Sequence, residues 1–152
     1  MQVDMKAALP KLLSIVVCDL VLRDERSKNT SLINTFNAIL AAQFPCQHPR
    51  LHVFVSVTDG RGDYVGELRL VHYGPTIETI LQTSGPLSIQ DPNEICDLDF
   101  ELNSIVFPKD GKYIFEFYCN DELIGSRPFT VTHEDTEFED RPEEEDDSSF
   151  MT

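Results

Sequence analysis

Basic residues are scarce in this sequence. It has 12 Lys and Arg against 27 Asp and Glu, a formal net charge of −15. A surface of that sign repels phosphate, so no nucleic-acid partner is expected. An anionic membrane surface is disfavoured for the same reason. No apolar run approaches the roughly 20 residues of a membrane-spanning helix. Cysteine is also sparse: four residues, at 18, 46, 96 and 119, with no CxxC pair. Their spacing fits no zinc module, and a chain this long needs no disulfide staples. They are expected to be reduced thiols in a cytoplasmic protein. Reactive motifs are missing too. There is no G-x-S-x-G, no glycine-rich phosphate loop and no H-E-x-x-H. The expectation is therefore a protein that is not an enzyme and that uses no cofactor or metal.

The N-terminal stretch MKAALPKLLSIVVC places lysines before an apolar run and Cys18, an arrangement with some likeness to a lipoprotein signal. The run Leu12–Val17 is shorter than the about 7–15 residues such signals use. Val17 replaces the small residue that cleavage before Cys18 needs. A first β-strand is the expected reading.

What is abundant is alternation of period two. Cys96, Leu98, Phe100 and Leu102 alternate with Asp97, Asp99 and Glu101. Leu51, Val53, Val55 and Val57 alternate in the same way. Tyr113, Phe115 and Phe117 oppose Ile114, Glu116 and Tyr118. Turn signals separate these runs: RDERSKN (23–29), FPCQHP (44–49), DGRGD (59–63), GP at 74–75 and 85–86, DPNE (91–94), KDG (109–111) and NDE (120–122). Residues 59–63 are read as a hairpin turn, and residues 31–41 as one strand rather than a helix. The predicted fold is all-β, an antiparallel sandwich of seven to eight strands. Residues 1–12 are a lead-in, 13–132 the sandwich and 133–152 an acidic tail. The tail holds ten acidic residues and one basic, with too little apolar surface to offset chain entropy, so disorder is expected there.

The placement of Asp110 and Gly111 just ahead of Tyr113 resembles the tyrosine corner of immunoglobulin-like folds. Phe115 stands where antibody domains carry a cysteine. More widely, LLSIVVCDLVL, SLINTFNAILAAQFPCQHPRLHVFVSVTDGRGDY and LNSIVFPKDGKYIFEFYCNDELIGSRPFTV resemble a family of small bacterial proteins known only as a domain of unknown function. The shared elements are Cys18–Asp19, Phe44–Pro49, Asp59–Asp63, Phe107–Tyr113 and Pro128–Val131, within about residues 13–131. The resemblance implies a β-sandwich, a bacterial source and no signal peptide, and it implies no activity.

Each remaining motif has a bland reading beside a functional one. Arg61-Gly62-Asp63 spells an adhesion tripeptide but reads as a turn. Cys46, His48 and His52 form the densest group of soft ligands, yet a zinc site needs a fourth ligand and supporting contacts. Asp97, Asp99 and Glu101 sit about 7 Å apart along one strand face, too far to share a calcium ion without loop partners. Cys18-Asp19 pairs a thiol with a carboxylate, which disfavours the thiolate. The surviving expectation is a protein-binding or adaptor module. Its candidate interaction surface is Asp97, Asp99, Glu101, Glu116 and Tyr118, with Phe138 and Phe150 as anchors in the tail. The alternatives are a structural subunit of a larger assembly, or a small-ligand or metal-binding domain using the 44–52 corner.

Overall fold

The computed structural model describes residues 8–134. Among the described residues nine strands form two sheets: β1 (Lys11–Arg23), β2 (Thr30–Thr35), β3 (Ala38–Ala41), β4 (Cys46–Thr58), β5 (Gly62–Tyr73), β6 (Ile77–Ile89), β7 (Cys96–Phe107), β8 (Gly111–Cys119) and β9 (Glu122–His133). One sheet has the order β2-β1-β4-β7 and the other β3-β9-β8-β5-β6. This is the expected all-β, immunoglobulin-like sandwich.

Several expectations need correction. The segment 31–41 is two strands, because Phe36 and Asn37 carry the chain from one sheet to the other. That crossing raises the strand count from seven or eight to nine. It also introduces a parallel pair, since β3 runs alongside β9 with Ala38 opposite Thr130. Residues 59–61 join β4 to β5, which lie in different sheets, so they do not close a hairpin. Gly85 and Pro86 do not turn the chain: they lie inside β6, opposite Gly66 and Val65. Proline is tolerated there because β6 is an edge strand with one side free of ladder bonds. Finally, β4 begins at Cys46, inside the stretch 44–49 that is read from the sequence as a turn.

The alternation in the sequence becomes the inside and outside of the sandwich. Leu51, Val53, Val55 and Val57 of β4 face Leu68 and Leu70 of β5 and Phe115 and Phe117 of β8 across one core, and all are fully buried. Its aromatic centre is tightly connected. The Phe107 ring meets Tyr113 edge-on at 5.2 Å, and Phe129 meets Phe115 at 5.5 Å. Such contacts add about 0.5–1.5 kcal/mol each to the area they bury. The 120–122 turn is the tight hairpin expected. Asn120 and Asp121 both have positive φ, 49° and 69°, the two-residue geometry that matches strand twist.

Candidate interaction site

Strand β8 divides its side chains between the core and an outer face. Tyr113, at its start, is fully buried. Its hydroxyl donates to the Lys109 carbonyl, and the Tyr113 hydroxyl oxygen in turn accepts from the Lys109 N–H at 3.4 Å. This is the predicted tyrosine corner. Gly111 has φ +126°, which an L side chain rarely adopts. Burial pushes the Tyr113 phenol above its ordinary range. A residue that the sequence reading missed completes the corner. His72 is buried, its ring centroid is 4.6 Å from that of Tyr113, and its Nε2 lies 3.2 Å from the Asp110 carbonyl. Its signal was the inward series Leu68, Leu70, His72 in β5.

The outer face of β8 carries Glu116 and Tyr118. Tyr118 donates its hydroxyl to Glu116 Oε1 at 2.9 Å. The Arg69 guanidinium lies over the Tyr118 ring at 4.0 Å, and its Nε donates to Glu67 Oε2 at 2.9 Å. The Glu67 hydrogen bond raises the Arg69 pKa. Burial first, and then the Glu116 hydrogen bond, raise that of Tyr118. β5 and β8 are antiparallel neighbours with Glu67 opposite Tyr118 and Arg69 opposite Glu116. The result is a diagonal ladder Glu67–Arg69–Tyr118–Glu116. Val65, in β5 beside it, is 55% exposed and Leu123, in β9, is 52% exposed.

Asp97, Asp99 and Glu101 belong to the other sheet, so the predicted surface residues do not form one patch. They face β4 instead. Ser56 donates to Asp97 at 2.7 Å, His52 Nδ1 lies 2.8 Å from Asp99 Oδ1, and Arg50 approaches Glu101 at 3.9 Å. This is a satisfied cross-strand ladder. Phe138 and Phe150 lie outside the described residues.

The 44–52 corner does not gather its ligands. His52 turns to Asp99, whereas the His48 ring packs on Phe36 at 5.9 Å. Among the described residues no group of three His, Cys, Asp or Glu side chains is placed to hold a metal ion. The four thiols are unpaired. Burial raises the pKa of Cys18 and Cys96 and pushes Cys119 up to about 11, which keeps them protonated and weakly nucleophilic. The tripeptide Arg61-Gly62-Asp63 is not a turn, since Gly62 and Asp63 already pair with β6 as the start of β5. The Arg61 N–H donates to the buried Tyr64 hydroxyl at 2.9 Å, which in turn donates to the Ala8 carbonyl at 2.8 Å. Arg127 was also missed. Its guanidinium donates to the Ile15 carbonyl at 2.8 Å and to Asn37 Oδ1 at 2.7 Å, tying the two sheets together at the crossing.

A family profile described as a family of unknown function, DUF6941, matches residues 13–132. The chain belongs to this family. Membership brings no assigned chemistry with it. A search among curated proteins gives no match. Among solved structures, the chain resembles the alkylpurine DNA glycosylase AlkC of Pseudomonas fluorescens, bound to DNA containing an abasic site analog. The identity is 8%, the TM-score 0.41, and the match covers 78% of this chain and 30% of that one. It also resembles a β-glucosidase from Listeria innocua in complex with gluconolactone, at 13% identity and TM-score 0.43, over 84% of this chain and 16% of that one. A β-glucosidase from Kluyveromyces marxianus matches at 15% identity and TM-score 0.40, over 64% and 15%. The chain therefore spans less than a third of each of these structures, and at such scores nothing about its chemistry follows. Among the described residues no helix is long and apolar enough to cross a membrane.

Proposed function

We propose that this domain is a non-enzymatic protein-binding module of a bacterial cytoplasm, and that it binds through the outer face of the β3-β9-β8-β5-β6 sheet. The observation that carries this reading is the ladder Glu67–Arg69–Tyr118–Glu116. It is pre-organised on a sheet face beside exposed Val65 and Leu123. Arg and Tyr are enriched among the residues that dominate binding energy, and a side chain already held in place loses less entropy on docking. The cytoplasmic assignment is supported by four unpaired thiols. The bacterial source rests on the sequence resemblance.

The test is affinity capture from a native lysate, comparing the wild-type protein with Tyr118→Ala and with Arg50→Ala on the opposite face. A partner held by wild type and Arg50→Ala but lost from Tyr118→Ala supports the reading. A partner set unchanged by Tyr118→Ala overturns it, as does turnover of a defined substrate by the purified domain.

A further inference from the structure

β1 is longer than its pairing with β4. The β1–β4 ladder ends at Cys18 opposite His52. Beyond that point β1 continues to Arg23, paired only with β2, from Leu20 opposite Ile33 to Arg23 opposite Thr30. The two strands form an arm whose β4-side edge, residues 19–23, is paired with no strand among the described residues. Open space of about 620 Å³ is lined by Asp19, Leu20 and Ile33 of the arm and by Pro49, Arg50 and Asn103 of β4 and β7. The arm also shows apolar surface to solvent, with Leu22 50% and Ile33 42% exposed. A free strand edge with apolar neighbours invites another strand.

The other edges of the fold are guarded. β7 carries Asp97, Asp99 and Glu101, whose like charges oppose self-pairing. β6 contains Pro86, which has no N–H to donate. β3 is four residues long. β2 is interrupted by Asn34, with φ 57°. The free edge of β1 reads Asp19-Leu20-Val21-Leu22-Arg23. This segment is complementary to itself. Two copies running antiparallel about Val21 place Asp19 opposite Arg23 of the second copy, twice, and Leu20 opposite Leu22. Asp19, Val21 and Arg23 share one face of the strand, so the charged pairs flank the central valines on the same side.

We infer that two copies of this chain associate through a twofold antiparallel pairing of residues 19–23 of β1. The contact is isologous and closes on itself, giving a dimer and not a fibre. A five-residue strand pair is a small interface, so the dimer is weak and concentration-dependent. It uses a surface separate from the Tyr118 ladder and stands or falls independently of it.

Sedimentation of the full chain over a range of concentrations tests the proposal, using wild type, Asp19→Arg, Arg23→Asp, their equimolar mixture and the double exchange. Wild type is expected to pass from monomer to dimer. Each single reversal places like charges opposite each other twice and weakens the dimer by about tenfold or more. The mixture and the double exchange restore opposite charges at both positions and recover association. If Asp19→Arg fails to fold, Arg23→Asp and a Val21→Cys variant decide. The latter is expected to give a disulfide-linked dimer, because directly opposed residues lie within disulfide reach. Three results overturn the proposal: single reversals that associate as wild type does, a Val21→Cys variant that stays uncrosslinked, or a wild-type chain monomeric throughout. The last leaves the edge to a strand of a different protein.

Discussion

Tyr113 and Tyr118 lie on the same strand, β8, and each hydroxyl donates to an oxygen. Tyr113 reaches a main-chain carbonyl, Lys109, inside the core and is packed by His72 and Phe107. Tyr118 reaches a side-chain carboxylate, Glu116, on the outer face and is covered by the guanidinium of Arg69, itself held by Glu67. The first arrangement fixes the turn that starts the strand. The second ties together four side chains of the outer face. An identical residue type thus serves architecture when its partner is backbone and is buried. It is available for recognition when its partners are surface side chains.

That contrast can be tested by substitution. The largest effect is expected on the inward face of β8, where Phe115→Ala should cost about 3–5 kcal/mol in chemical denaturation through lost contacts and a residual cavity. Tyr113→Phe removes only an oxygen, yet it leaves the Lys109 carbonyl without its donor, so a loss of about 1–3 kcal/mol is expected. A change of under about 0.5 kcal/mol would mean that the corner is ornamental.

A pH experiment separates the faces in another way. Cys119, inward on β8, has its pKa pushed from 9.0 to about 11 by burial. The unfolded chain releases this proton first as pH rises. The contribution to stability is therefore fully present below about pH 9 and is lost as pH climbs through 9 to 11. Cys119→Ala should flatten the alkaline limb of the stability curve. An unchanged limb would show that the thiol does not titrate differently in the two states. Thiol labelling at neutral pH should leave Cys18 and Cys119 unmodified in the native protein, since both are fully buried. The smallest effect on stability is expected for Tyr118→Phe, within about 0.5 kcal/mol, as for other surface changes. A large loss there would move Tyr118 into the architectural class.

How much of this could be read from the chain depends on the range of the interaction. The inward series of β4, β7 and β8 were legible because period two is written in consecutive residues. The Tyr113 corner was legible because Asp110, Gly111 and Tyr113 are neighbours in sequence. The nine-strand count was not, since nothing local distinguishes Phe36-Asn37 as a crossing from one sheet to the other. Its stabiliser, Arg127, comes from β9 near the end of the domain. The candidate site was half legible. Glu116 and Tyr118 stood out as the polar face of an aromatic strand, but Arg69 and Glu67 reach them only through the β5–β8 register. Asp97, Asp99 and Glu101 looked like a free acidic row. Their partners Ser56, His52 and Arg50 lie on β4 and are visible only once β4 and β7 are paired.

The most direct test of the central claim is hydrogen exchange on the complex with a captured partner. Protection is expected to rise in β5 around residues 65–69 and in β8 around 116–118, with β7 from 96 to 103 unchanged. Protection confined to β7, with the Tyr118 face exchanging as in the free protein, would contradict the account.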